Sequence, residues 1–414
     1  MGKKSAPVGQ FGVHGVQSKR DWPCLTEAEI QAVAAQYPDL PPAPTVSWNS
    51  MRPFSAAARI DGAGCSEREN GAGDFLIKRH HASLRGVAAL QEEHAFMRHL
   101  HQHGVPVCLP CVTRSGATAL ALGEWTYEVF PLAAGQDVYR DVMSWQPYKN
   151  AGHATAAGRA LALLHKASAS YPAPGRGERS AAGLRAGRPL TSSLNAIGQP
   201  DFLDALQNWV ALQPGLMPQL AHRSWLADCA AVLVPLHDRL KPHLATLPTL
   251  WGHGDWHGSN LFWQQGQGAH NPAEPQGSVS CVLDFGMADR TSAMFDLAVA
   301  LERSMVDWLD PAENRRVFYP HMAAFLNGYA QAKPLAPQDC AQLGAFLPLV
   351  HVEFALSEVA YFGTLLQDAA SAEVAYTEYL LGHARWFATG QGRAVLTWLG
   401  TAAQEPQAVG PKQA

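Results

Sequence analysis

Two short polar segments carry the side chains best suited to chemistry. His253-Gly254-Asp255-Trp256-His257-Gly258-Ser259-Asn260 follows an apolar run and offers a carboxylate and, five positions on, an amide. Val282-Leu283-Asp284-Phe285-Gly286 sets a second carboxylate behind an apolar run and ahead of glycine. Nucleotide-dependent phosphoryl transfer needs this set: one carboxylate to align an attacking hydroxyl, and a carboxylate plus an amide to hold Mg²⁺. A free aspartate is a weak base, with a pKa of about 4, so Asp255 is expected to act mainly by aligning the oxygen and to take its proton late. Asn260 adds an oxygen ligand without a charge that would repel a triphosphate, and Asp284 is the expected principal Mg²⁺ ligand. The plain alternative is a pair of turns closed by Asp and Asn side chains.

A phosphate anchor and a base pocket must accompany these groups. Lys78 ends the apolar run Phe75-Leu76-Ile77 and is expected to point into a cleft toward phosphate oxygens. Its carboxylate partner is expected to be Glu93, which shares a helical stripe with Leu90, Met97 and Leu100, with Glu92 as runner-up. Backbone groups from Glu128 to Phe130 are expected to read an adenine edge. The segment 49–56 contains no glycine, so Ser50, Ser55 or Arg52 must compensate there, and no Gly-x-x-x-x-Gly-Lys-Ser/Thr run exists. His253 is expected to brace the loop by bonding backbone, and His257 to touch substrate or phosphate. Zinc at that pair is disfavoured because Gly254 and Gly258 work against a helix.

Composition limits the rest. The chain has 414 residues, is 47% hydrophobic and 16% charged, and carries a formal charge of −4. That length permits a large two-lobed fold with a sizeable core, and the charge lacks the basic footprint of a nucleic-acid binder. The Arg-rich stretch from Arg176 to Arg188 reads as a solvated loop. Seven scattered cysteines suit reduced thiols in a cytoplasm, and Cys108 and Cys111 read as thiols near a strand, not as a metal pair. Neither a secretory signal nor a membrane span is expected; the oligomeric state is not legible.

The elements that must position the site follow from pattern. Residues 1–20 and 402–414 read as flexible tails. Residues 21–131 read as a small mainly β lobe with one key helix, and 132–401 as a helical lobe carrying the catalytic loop. Thr26 with Glu29 predicts a helix from Thr26 to Ala35. Strands are predicted at Thr45–Trp48, Ala57–Asp61, Asp74–Lys78, Val107–Val112, Ala117–Leu122 and Trp125–Phe130, with a helix from Ser83 to His103. Helices are predicted at Ala154–Ala167, Phe202–Val210, Trp225–Leu240, Asp296–Trp308, Arg316–Gln331, Pro337–Phe362 and Ala370–Trp386. Leu261–Trp263 and Ser280–Leu283 read as a hairpin joined by a surface loop.

Taken together, these segments resemble the aminoglycoside phosphotransferase and choline kinase-like family. The resemblance rests on the run from His253 to Leu261, on Val282-Leu283-Asp284-Phe285, on Asp296-Leu297-Ala298, on the Phe75–Lys78 strand with the Glu93–Leu100 helix running on to Gly104-Val105-Pro106-Val107, and on Ala157–His165. It covers about residues 45–365. It implies an α+β, two-lobed protein-kinase-like fold, with a small mainly β N-lobe and a large mainly α C-lobe, and ATP or sometimes GTP as donor to a hydroxyl. Carried over, Asp255 is the catalytic base, Asn260 and Asp284 hold the metal, Lys78 and Glu93 anchor phosphate, and Asp296 is structural. The glycine-free loop departs from many members. Glu302, Asp307, Glu353 and Glu358 would suit an amine-bearing acceptor, or else merely solvate helix faces. A Ser/Thr protein kinase and a non-catalytic nucleotide-binding module are the rival expectations.

Overall fold

The computed structural model describes residues 20–50, 53–61, 73–140, 144–176, 190–264, 277–309 and 315–402. The loop from 265 to 276, Arg52, Arg188 and nearly all of both expected tails lie outside the described residues. Helix α1 (Glu27–Ala34) begins with the expected reciprocal cap, Thr26 bonding the Glu29 backbone while the Glu29 carboxylate returns to Thr26. An antiparallel sheet follows, in the order β1 (Thr45–Asn49), β2 (Ala56–Asp61), β3 (Phe75–His81), β5 (Trp125–Pro131), β4 (Leu120–Leu122). Helix α2 (Val87–Gln102) lies between β3 and β4 in the chain. Val107–Val112 forms no strand; only Val107 makes a parallel bridge, to Val282. Pro106 and Pro110 each lack an N–H for a ladder, which accounts for the difference.

After the crossing at 132–138 the chain is mainly helical. Helix α3 (Ala151–Ser168) packs along the helix Tyr319–Ala332 so closely that Gly158 and Gly328 leave no room for a Cβ. Strands β6 (Thr249–Gly252) and β9 (Asp289–Ser292) pair, as do β7 (Leu261–Gln264) and β8 (Ser278–Val282), and these two small ribbons hold the polar segments between them. β9 was not foreseen, because Asp-Arg-Thr-Ser shows no apolar alternation. The helix expected from Pro337 to Phe362 is two helices, Pro337–Phe346 and Val352–Ala360. Pro348 between them removes a backbone donor.

Two cores result. A small one joins Ile30, Val33 and Tyr37 of the α1 region to Ala58, Ile60, Ile77 and Val129 of the sheet. The large one fills the helical lobe and also takes in Phe96, Met97 and Leu100 of α2. Phe96 lies 5.3 Å from the Trp251 ring and 5.9 Å from Phe285, so α2 is packed against the segment that carries Asp284. Among the described residues no helix is long and apolar enough to cross a membrane.

Candidate active site

The loop after β6 is shaped by Asp296, in the first turn of the helix Ala293–Ser304. Its wholly buried carboxylate accepts from the backbone N–H of His253 (2.7 Å) and of Gly254 (2.8 Å) and from His165 Nε2 (2.9 Å). His165 is fixed in turn by the Tyr329 hydroxyl at 2.8 Å. Burial works to raise the Asp296 pKa, but these donors hold it below the usual range. Gly254 has φ +76°, and a side chain there would strike the Met287 carbonyl. His253 braces the loop as expected. Its Nε2 donates to the Leu283 carbonyl at 2.8 Å, and its Nδ1 accepts from the Asp255 N–H at 3.2 Å. Both ring nitrogens are thereby engaged, which removes His253 as a zinc ligand.

Asp255 and Asp284 lie close together. Leu283 N–H donates to the Asn260 carbonyl at 2.9 Å, so with the His253–Leu283 bond the two polar segments are laced together just before Asp284. The Asn260 amide nitrogen donates to the Asp255 carbonyl (2.9 Å) and approaches Asp255 Oδ2 (3.3 Å), which leaves its oxygen as the available ligand atom. Asp284 takes a left-handed backbone, φ +56°, a conformation Asp tolerates better than bulkier residues. The turn of direction therefore falls on Asp284 and not on Gly286. The two carboxylates are near enough that the Asp255 charge pushes the Asp284 pKa upward. Burial pushes the same way, yet Lys78 and Arg85 prevail and bring Asp284 down to about 2.

The lysine anchor differs from expectation. Lys78 Nζ lies 3.6 Å from Asp284 Oδ2 and 3.7 Å from Glu128 Oε1. Glu93 instead meets Arg85 (3.9 Å) and Arg176 (3.5 Å). The physical reason is register: Lys78 on β3 stands directly opposite Glu128 on β5, so the partner comes from across the sheet and not from α2. Glu128 also accepts from His80 Nε2 (2.9 Å) and His94 Nε2 (2.8 Å), and it stays charged despite full burial. The stretch from Glu128 to Phe130 is also less open than expected. It is paired along β3, and the Val129 carbonyl already accepts from Cys111 N–H at 2.7 Å.

Other expectations also change. His257 is buried and spans Ser259 Oγ (2.9 Å) and Asp255 Oδ2 (3.4 Å), so it steadies Asp255. Glu302 is buried with its carboxylate on His383 Nδ1 at 2.8 Å. Asp307 lies beyond the end of the helix that carries Glu302, with its N–H on the Arg316 carbonyl. Arg176 is buried against Glu92, Glu93 and the Gly286 carbonyl, not solvated.

Sequence reasoning missed Arg303, whose Nε lies 3.2 Å from Asp255 Oδ1 and whose guanidinium stacks 3.9 Å over Trp145 and 4.7 Å over Phe354. The signal was available: Arg303 follows Asp296 by two helical turns and so lies on the same face. Partial burial tends to raise the Asp255 pKa, but Arg303 and then His257 hold it well below the usual carboxylate range. Glu358, also buried, faces the charges of Arg303 and Asp255, and burial lifts its pKa to about 8.

A loop fixed by a buried aspartate thus brings an amide, a second carboxylate and a lysine into one neighbourhood. The model of the phosphotransferase enzyme family matches residues 66–335. The chain belongs to that family. This phosphotransferase is 26% identical over 192 residues to Stress response kinase A of Salmonella choleraesuis and, at the same identity and length, to a Salmonella typhimurium protein named Serine/threonine protein kinase RdoA. The aligned stretch is 46% of this phosphotransferase and spans about half (49%) of those relatives. In fold it is similar to amicoumacin kinase hAmiN, solved with AMP-PNP and Ca²⁺, at a TM-score of 0.50 and 16% identity over 93% of this chain and 94% of the other.

Proposed function

We propose that this phosphotransferase moves the terminal phosphoryl group of ATP, with Mg²⁺, to a hydroxyl of a small molecule, and that the acceptor carries an amine. The observation that carries the reading is the chain of contacts joining Asp255, Asn260, Asp284 and Lys78: Asn260 donates to the Asp255 carbonyl, the Asn260 carbonyl takes the Leu283 N–H, and Lys78 lies 3.6 Å from Asp284. The donor set suits Mg²⁺: the Asp284 carboxylate and the Asn260 amide oxygen are hard ligands, too few for a closed cage, so the remaining positions fall to phosphate oxygens and water. Mg²⁺ bound there would neutralise phosphate charge. Asp255, fixed by Arg303, His257 and Asn260, aligns the acceptor hydroxyl. The new bond runs from that oxygen to the γ-phosphorus, the bond to the β–γ bridging oxygen breaks, ADP leaves with the electron pair, and the hydroxyl proton passes to Asp255. Lys78 contacts phosphate oxygens.

The amine rests on Glu358. A buried carboxylic acid with a raised pKa gains most by pairing with a cation that arrives with the acceptor. A protein Ser or Thr acceptor is the second reading, supported by the name of the Salmonella typhimurium relative. A contact between the two lobes opposes an extended acceptor: the Phe54 ring sits 5.0 Å from Tyr361, whose hydroxyl donates to Asp21 Oδ2 at 2.7 Å. The test is a panel of amino alcohols, sugars and one generic protein substrate with Mg-ATP, read by ³¹P signals of new phosphomonoesters. Asp255→Ala should abolish turnover, and Asp284→Ala should also weaken Mg-ATP binding. Near-normal transfer by both variants, or transfer to the protein alone, overturns the reading.

A further inference from the structure

We infer that Arg85 binds the β- and γ-phosphates of the nucleotide in place of a glycine-rich loop, an inference that rests on the nucleotide-dependent reading above. The usual phosphate cover is a turn whose backbone N–H groups come close because glycines leave room. Here the segment between β1 and β2 has no glycine, and two of its described backbone N–H groups are committed elsewhere. Ser50 N–H donates to the Ala57 carbonyl at 2.8 Å, and Phe54 N–H to Asp21 Oδ2 at 3.0 Å. Phe54 also turns its ring onto Tyr361 and Phe354 of the helical lobe. A donor from another element would make up for these lost N–H groups.

Arg85 is placed to supply them. It immediately precedes Gly86, the residue that caps α2, and its carbonyl accepts from the Thr126 hydroxyl of β5, which fixes its backbone to the sheet. Its guanidinium reaches over the Asp284 turn: Nη1 is 3.5 Å from Asp284 Oδ1, while Lys78 holds the other oxygen, Oδ2, at 3.6 Å. Two cations thus straddle the carboxylate expected to hold the metal, on the side where metal-bound phosphates belong. Neither Arg85 ion pair, at 3.5 Å to Asp284 and 3.9 Å to Glu93, closes to the length of a charge-assisted hydrogen bond, about 2.7–2.9 Å. A planar fork of five N–H donors loosely held near one carboxylate is suited to take phosphate oxygens bidentately once the metal claims that carboxylate.

Gly286 gives the independent observation. Its φ is not in the left-handed region, so the backbone does not require glycine there. A Cβ at 286 would instead occupy the space of the Arg85 guanidinium, with Nη2, Cζ and Nη1 as its nearest neighbours. The glycine is thus the floor on which Arg85 lies, and Arg176 holds that floor from behind by donating to the Gly286 carbonyl at 3.3 Å.

The test is titration calorimetry of the full chain with Mg-ATP, Mg-ADP and adenosine, for the unaltered protein and for Arg85→Ala, Arg85→Lys and Gly286→Ala. Arg85→Ala should weaken Mg-ATP and Mg-ADP by about ten- to a hundredfold and leave adenosine unchanged. Arg85→Lys should recover part of the loss, because charge returns without the fork. Gly286→Ala, which keeps the arginine but displaces it, should reproduce the Arg85→Ala pattern. Thermal melting of each variant checks that the fold is intact. Unchanged or tighter Mg-ATP binding by Arg85→Ala overturns the assignment and marks Arg85 as a plug over Asp284. Equal losses for adenosine and for the phosphorylated ligands also overturn it. If the unaltered chain binds none of the three, the nucleotide reading falls, and this one with it.

Discussion

The floor of the cleft and its N-lobe wall are built to different tolerances. On the floor, the bonds made by Asp296, His165 and His253, and that from Asn260 to the Asp255 carbonyl, lie between 2.7 and 2.9 Å, apart from the 3.2 Å Asp255 N–H contact. On the wall, Lys78 and Arg85 meet their carboxylates at 3.5–3.9 Å, although Glu128 is itself held at 2.8–2.9 Å by His80 and His94. The floor holds the backbone of the loop after β6 in one geometry before any ligand arrives, while the Asp255 carboxylate itself meets Arg303, Asn260 and His257 at 3.2–3.4 Å. The wall holds cations that neutralise one another loosely and can be redistributed when phosphate enters. On the proposed reading, alignment belongs to the part that would position the hydroxyl, and adaptability to the part that would grip the donor.

Several substitutions would break or sharpen that contrast. The largest effect belongs to Asp255→Ala, with kcat falling by about 10²–10⁴-fold while calorimetric nucleotide affinity is kept; a comparable loss of affinity would mean floor and wall act as one unit. Next is Asp296→Asn, which removes the charge that three donors converge on. Urea denaturation should show about 3 kcal/mol of lost stability, and a change below about 0.5 kcal/mol would show that the floor is not held as described. Lys78→Ala should do the reverse, lowering Mg-ATP affinity by about tenfold with a melting temperature close to that of the parent. The smallest effect is Glu358→Gln. Its folded pKa, about 8, lies above the ordinary 4.5, so the stability it contributes is complete below pH 4.5 and is lost as pH rises through 8. Melting curves from pH 5 to 9 should therefore decline less steeply in the glutamine variant, and parallel declines would remove Glu358 as their source.

The legible part of the site was the floor. Asp255, Asn260, Asp284, His253 and Asp296 sit in short segments, and hydrogen bonds lace those segments together. The wall was less legible because its partners are chosen by sheet register and not by helix spacing. Glu93 occupied the expected stripe, yet a strand neighbour four residues from the adjoining turn, Glu128, stood nearer to Lys78. Arg303 was hidden for a different reason: a lone arginine late in an apolar helix reads as a solvated end until its two-turn relation to Asp296 is noticed. The fold class was legible because strands and helices segregate along the chain. The errors within it, at Val107–Val112 and Pro337–Phe362, each fall on a proline that outweighs the hydrophobic pattern.

The bond between Tyr361 and Asp21 spans 340 positions of the chain. A ribosome releases the sheet first, and with it Lys78 and Glu128, long before the helix that brings Glu358 and Tyr361. The nascent polypeptide therefore carries Lys78 and Glu128 while the helix facing them is still untranslated, and the bond that ties Tyr361 to Asp21 is the kind that forms only after the sheet has long left the ribosome.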